Sequence, residues 1–146
     1  MPRLHDPETR SAIEGRLNRL TASTRAVWGR MSPAQMLWHC NQAIASAMGQ
    51  AELDPSKPPL PRAVIKFLVM NMPPMRNAPT NKALVAREER DFDAELERCR
   101  RLLVEFAARP LDGPVQDHPA FGRMTVDEQS RLQAKHLDHH LKQFGV

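Results

Sequence analysis

Ser32-Pro33-Ala34-Gln35-Met36-Leu37-Trp38-His39-Cys40-Asn41-Gln42-Ala43-Ile44-Ala45-Ser46-Ala47-Met48-Gly49 decides the fold class. Ser32, Pro33 and Gln35 stand as N-cap, first helical residue and third helical residue, which is a capping box. Gly49 is placed to close the helix at its far end. Between them, Met36, Ala43 and Ala47 line one side while Leu37, Ile44 and Met48 line another. A helix apolar over so wide an arc is a buried one. The segment 33–48 is therefore expected at the centre of a helical domain. Working outward, Asp6-Pro7 offers an N-cap and a first-turn proline, and Ile13, Leu17 and Leu20 follow as one stripe, giving a helix near 7–20. Downstream, Phe92, Leu96, Cys99, Leu103 and Phe106 make a long stripe after Asp91, giving a helix near 92–108 that Arg109-Pro110 stops. Thr125-Val126-Asp127-Glu128 is a second capping box and opens a last helix near 126–144.

Between the second and third of these helices lies a proline-rich crossover, with Pro55, Pro58, Pro59, Pro61, Pro73, Pro74 and Pro79. So long a stretch without structure is unusual in a compact domain. A short helix is expected at about 62–70, packed on the bundle as a lid through Val64, Ile65, Phe67, Leu68 and Val69. The segment Leu111–Arg123, rich in Pro and Gly, reads as a loop. The chain of 146 residues then reads as one all-α domain spanning 1–146, a four-helix bundle with a long crossover between helices 2 and 3.

The composition excludes several classes. There is no Tyr, with only five Phe and two Trp, which is poor material for a β-sandwich or barrel. The apolar run 63–72 is far short of the ~20 residues of a spanning helix, and the N-terminus lacks a signal-peptide core. Cys40 and Cys99 form no metal or redox spacing, so reduced thiols and a cytoplasmic location are expected. A net charge of +4 rests on dispersed arginines with no aromatics between them, so nucleic acid is not an expected partner.

Three of the six histidines stand in His136-Leu137-Asp138-His139-His140. At about 100° per residue, His136 and His140 differ by about 40° and one turn, so their rings converge, while His139 points about 100° away. Leu132, Leu137 and Phe144 flank the pair and place it at the core edge. His39 lies inside the buried second helix, where a neutral imidazole needs a partner. His39, His136 and His140 are therefore the candidate metal ligands, and Cys40, about 100° from His39, is not. Three imidazoles leave a position open, the pattern of catalytic zinc. The HExxH motif is excluded, because Leu137 occupies the position of its Glu. Gln143 is read as orienting a ligand or bonding to backbone, Asp138 as facing solvent, His118 as stabilising a turn, and Trp28 and Trp38 as core anchors. Met70, Met72 and Met75 read as lining a plastic pocket or as adaptable core.

The run His136-xx-His139-His140-xx-Gln143 resembles the C-terminal motif of the DinB-like superfamily. So do Trp28-Gly29-Arg30-Met31-Ser32, Gln35-Met36-Leu37-Trp38-His39-Cys40 and His118-Pro119-x-Phe121-Gly122, which are similar to a bacterial branch of unknown function. The resemblance implies an up-down-down-up four-helix bundle, commonly a homodimer. It also implies a divalent metal on the positions of His39, His136 and His140: zinc first, with nickel or iron as alternatives. It further implies a small-molecule thiol or other small substrate, hence a metal-dependent thiol transferase or a hydrolase. The competing reading is a non-catalytic dimerisation or interaction module. No catalytic residue and no organic cofactor site is assigned.

Overall fold

A computed structural model describes all 146 residues, Met1–Val146. Five helices follow in order: α1 Pro7–Leu17, α2 Pro33–Ala47, α3 Arg62–Asn71, α4 Phe92–Ala107 and α5 Val126–Gln143. A 3-10 turn at Lys82–Leu84 lies in the crossover, and an antiparallel hairpin, β1 Gln116–His118 with β2 Gly122–Met124, precedes α5. The protein is mainly helical. No helix is long and apolar enough to cross a membrane.

Both capping boxes form. Ser32 Oγ accepts from Gln35 N at 3.2 Å while Gln35 Oε1 accepts from Ser32 N at 3.0 Å. Thr125 and Glu128 repeat the exchange at 3.1 and 2.9 Å. Asp6 is a correction: it precedes α1 but makes no side-chain bond to it. Its carboxylate instead accepts from the backbone N, Nε and Nη2 of Arg3, and an ionised guanidinium donor outcompetes the neutral N–H groups of the helix end.

The core is built by four of the five helices. Ile13 and Leu17 come from α1, and Met36, Leu37, Cys40 and Ile44 from α2. Cys99, Leu103 and Phe106 come from α4, with Leu137 and Leu141 from α5. Polar cross-links give the pair directions. Asn41 Nδ2 donates to Glu95 O at 2.9 Å and Arg109 Nη1 to Ala47 O at 2.9 Å, so α2 and α4 run together. Leu4 N donates to Ser130 O at 3.3 Å and Arg16 Nη1 to Asp138 Oδ1 at 2.8 Å, so α1 follows α5. The His5 ring meets Arg109 O at 2.8 Å while Arg100 Nε donates to Glu14 at 2.6 Å, so α1 opposes α4.

Four expectations need correction. First, α3 forms but does not bury its apolar face: Phe67 is 65% exposed, and Val64 and Leu68 are also exposed. It is held by polar ties. Lys66 Nζ pairs with Glu128 at 2.6 Å and donates to Arg123 O at 2.8 Å, and Arg62 Nε donates to Pro119 O at 2.7 Å. Second, Trp28 and Trp38 are half-buried and outside the core. They lie under Arg76 and Arg90, whose guanidinium carbons are 4.0 and 4.6 Å from the ring centroids. An indole with a cation on its face is held at the surface without being enclosed. Third, Met72 and Met75 are exposed, so they are not core residues. Fourth, the segment after Pro110 contains the short hairpin, whose turn His118 stabilises. His118 Nδ1 accepts from Ala120 N at 3.1 Å, and its ring stacks on Phe121 at 4.1 Å.

Candidate metal centre

α2 and α5 cross where His39 meets His136 and His140. Helical phase brings His39 to this seam, because Met36, Leu37, Cys40 and Ile44 turn the rest of the helix into the core. On α5, Leu137 and Leu141 are fully buried, and they set His136 and His140 on the adjoining face. The three ring centroids are 4.7–4.8 Å apart, with planes inclined by 68–81°. One ligating nitrogen from each ring lies within 4.8 Å of the others. His39 Nε2 is 2.9 Å from His136 Nε2, and His140 Nε2 is 3.1 Å from it.

The hydrogen bonds behind the rings fix their tautomers. His39 Nδ1 lies 2.7 Å from the Leu84 carbonyl, which only accepts, so Nδ1 carries the proton and Nε2 is bare. Gln143 Nε2 donates to the Trp28 carbonyl at 3.0 Å, which fixes the Gln143 amide with Oε1 toward His140 Nδ1 at 2.7 Å. His140 Nδ1 therefore donates too, and its Nε2 is also bare. His136 Nε2 faces both bare nitrogens and has one proton at most to share. Without a cation, at least one buried lone pair points at another nitrogen. A cation between the three satisfies every one of them. Zinc–imidazole bonds of ~2.0–2.1 Å in a tetrahedron set nitrogens about 3.3–3.4 Å apart, close to the 2.9 and 3.1 Å of the two pairs that include His136. The donor set fits a divalent transition ion, and imidazole suits zinc, nickel and iron.

Burial holds the rings neutral. Desolvation, with smaller contributions from the neighbouring histidines, lowers the pKa of His136 well below the ordinary value. The same cause lowers His39, and lowers His140 to about 4, although the bonds to Leu84 and Gln143 oppose the shift. A lowered pKa contributes stability that is complete above the unfolded value near ~6.5 and is lost as pH falls toward the folded value. Metal-free protein should therefore unfold in urea with less stability at pH 5 than at pH 7, by roughly 2 kcal/mol for His140 alone. An unchanged unfolding free energy across that range would contradict neutral buried rings.

The other sequence candidates fall outside the cluster. Cys40 is buried against Met36 Sδ at 3.9 Å, and desolvation pushes its thiol pKa well up, so it offers no thiolate. His139 turns toward Trp28, ring centroids 5.7 Å apart. Asp138 pairs with Arg16 and Lys142. Gln143 fulfils both of its readings, bonding a histidine ring and a backbone carbonyl. The Leu84 carbonyl was not foreseeable, since a backbone oxygen leaves no mark in sequence. Gly29 was also missed. Its φ is +80°, and an added Cβ would stand 2.5 Å from Gln143 Nε2, so only glycine lets Gln143 reach Trp28 O.

A family model described as a protein of unknown function (DUF1569) matches residues 4–145. The chain belongs to the DUF1569 family. No curated protein and no solved structure matches it. The match spans every element that builds the centre, from α1 to the Gln143 that ends α5. For this DUF1569 chain, replacing Gln143 with Leu should weaken zinc affinity by about 10–100-fold while the fold persists, as removal of a ring-orienting partner does. Competition with a chromophoric chelator reads the change, and an unaltered affinity would remove Gln143 from the centre.

Proposed function

We propose that the protein is a divalent-metal protein with a DinB-like, up-down-down-up four-helix bundle, in which His39, His136 and His140 hold the ion. The observation that carries the reading is the convergence of three Nε2 atoms, two of them stripped of protons by bonds to Leu84 O and Gln143 Oε1. The pair directions of α1, α2, α4 and α5 support the arrangement, and α3 is an appendage to it. Zinc is the first choice, with nickel or iron as alternatives, and the free Cys40 and Cys99 support a reducing cytoplasmic setting. A bound ion would supply a Lewis acid that makes water or a thiol a nucleophile near neutral pH. The chain's own part is to present three neutral imidazoles, to lock two of them from behind, and to offer no carboxylate or thiolate to the centre. The activity we propose is thiol transfer to or from a small molecule, or hydrolysis.

A second reading, a homodimerisation or interaction module without turnover, is favoured by the exposed apolar side chains Val64, Phe67 and Leu68 on α3.

Titrating the cobalt-substituted protein with 2-mercaptoethanol separates thiol chemistry from the rest. The expected result is a new sulfur-to-metal charge-transfer band with release of about one proton per chain at pH 7. The three rings are already neutral at that pH, so the proton comes from the thiol. No spectral change at saturating thiol, with cobalt retained, would exclude the thiol reaction. A response that persists in His140→Ala would place it elsewhere.

A further inference from the structure

The chain between α2 and α4 adds nothing to the core: no residue from 49 to 91 is buried. Its stretch 72–84 is nevertheless fastened at three places, and each adjoins a histidine of the metal centre. At its start, Lys135 Nζ donates to Val69 O at 2.6 Å and also to Met70 O and Met72 O, and Lys135 immediately precedes His136. At its turn, the Arg76 guanidinium carbon lies 4.0 Å from the Trp28 ring centroid. Trp28 in turn faces the His139 ring, and its carbonyl accepts from the same Gln143 amide that holds His140. At its end, Leu84 O accepts from His39 Nδ1 at 2.7 Å. Asn77 shapes the turn with a φ of +57°, a left-handed value that asparagine tolerates better than most residues.

Helical phase says which side of the centre this stretch occupies. Leu137 and Leu141 lie about 100° and 140° round α5 from His136 and close the inner side of the seam. Lys135 and His139 lie about 100° and 60° the other way, so the fastenings on α5 are all on the outer side. His136 is the one member of the triad that is only half-buried. On α2, Met36, Cys40 and Ile44 turn into the core, and Leu84 O meets His39 away from them. The stretch 72–84 therefore runs as a strap over the outer side of the seam. A segment without buried residues opens at a far lower free energy than the core does. Its opening leaves the packing of α1, α2, α4 and α5 in place.

We propose that residues 72–84 gate the histidine centre, with the contact of Arg76 on Trp28 as the latch. Closed, the strap screens the three imidazoles and keeps the His39 proton on Nδ1 through Leu84 O. Open, it exposes the outer edge of His136 and lets an ion or a small molecule pass. A guanidinium on an exposed indole face is a weak contact, which suits a latch that has to release. The gate is a property of the chain alone, while its use in retaining an ion rests on the metal reading above.

The test uses the full chain without metal and diethyl pyrocarbonate, which acylates neutral imidazole nitrogens, at pH 7. Peptide mass spectrometry reads the rate at His39 and His140. Arg76→Ala should raise both rates at least about threefold, and Lys135→Met, which frees the start of the strap, should act in the same direction. Arg76→Lys, which keeps a cation on the indole, should stay within about twofold of wild type, as should Arg87→Ala, an exposed arginine of the same crossover outside the strap. The unfolding free energy in urea should be unchanged in Arg76→Ala. Transfer of zinc from the loaded protein to a chromophoric chelator should accelerate by a similar factor. Unaltered acylation in both Arg76→Ala and Lys135→Met, an equal gain in Arg87→Ala, or a gain matched by a loss of global stability would overturn the gate. Faster acylation in Arg76→Ala from a protein that never retains zinc would count against the metal centre and leave the gate standing.

Discussion

Zinc added to the metal-free protein raises its unfolding free energy by about 4 kcal/mol when the free ion exceeds the dissociation constant a thousandfold, and raises the melting temperature by roughly 10 °C. The gain is expected because the native chain alone assembles the three histidines: His39 arrives from α2, and His136 and His140 from α5, so the unfolded chain has no comparable site. A low dissociation constant is also expected, because the metal-free centre leaves a lone pair facing nitrogen at 2.9 or 3.1 Å, and the ion relieves that contact. In His136→Ala the increment disappears, since His136 Nε2 is the atom both other rings approach. In His139→Ala it remains, since that ring faces Trp28. Differential scanning fluorimetry with and without zinc measures both. An equal zinc shift in wild type and His136→Ala would show that the ion binds elsewhere.

Phe106→Ala should lower stability by about 3–5 kcal/mol, in the range for a large aromatic deleted from a closed core. Phe106 is fully buried, and its neighbours tie four segments together. The His5 ring packs edge-on at 5.6 Å, and the Arg109 guanidinium lies 5.5 Å from the ring centroid. His5 also contacts Ser130 Oγ at 2.8 Å and Arg109 O at 2.8 Å, while Arg109 Nη1 donates to Ala47 O at 2.9 Å. Removing the ring therefore opens a cavity and also loosens the joints of α1, α2, α4 and α5 at one end of the protein. The value should fall in the upper half of the range. Urea unfolding followed by circular dichroism measures it. A loss under about 1.5 kcal/mol would mean that the site collapses to fill the space and that Phe106 is not a keystone.

Much of the path to the centre was legible because it is local. A capping box is an exchange three residues apart, so Ser32–Gln35 and Thr125–Glu128 announce α2 and α5 directly. His136 and His140 converge by helical spacing alone, and His39 follows from the width of the apolar arc around it. The failures are contests that spacing does not record. Asp6 has the right position for a cap, but Arg3 reaches its carboxylate first. The residues of α3 form an apolar face, yet Lys66 and Arg62 anchor the helix by charge and leave Phe67 outside. Trp28 and Trp38 have the bulk of core residues, but each serves as a platform for an arginine distant in sequence. The three-residue strands of the hairpin are too short for an alternation to show. At the centre, the Leu84 carbonyl and Gly29 act through the backbone, where residue identity says little.

The central claim is that three specific nitrogens share one ion. Element-specific mass spectrometry on protein purified without a histidine tag, loaded with zinc and dialysed, tests it most directly. The account predicts about one divalent ion per chain, lost in each of His39→Ala, His136→Ala and His140→Ala and kept in His139→Ala. A wild-type chain that emerges without metal, or a His139→Ala protein that loses the ion while His140→Ala retains it, would contradict the account.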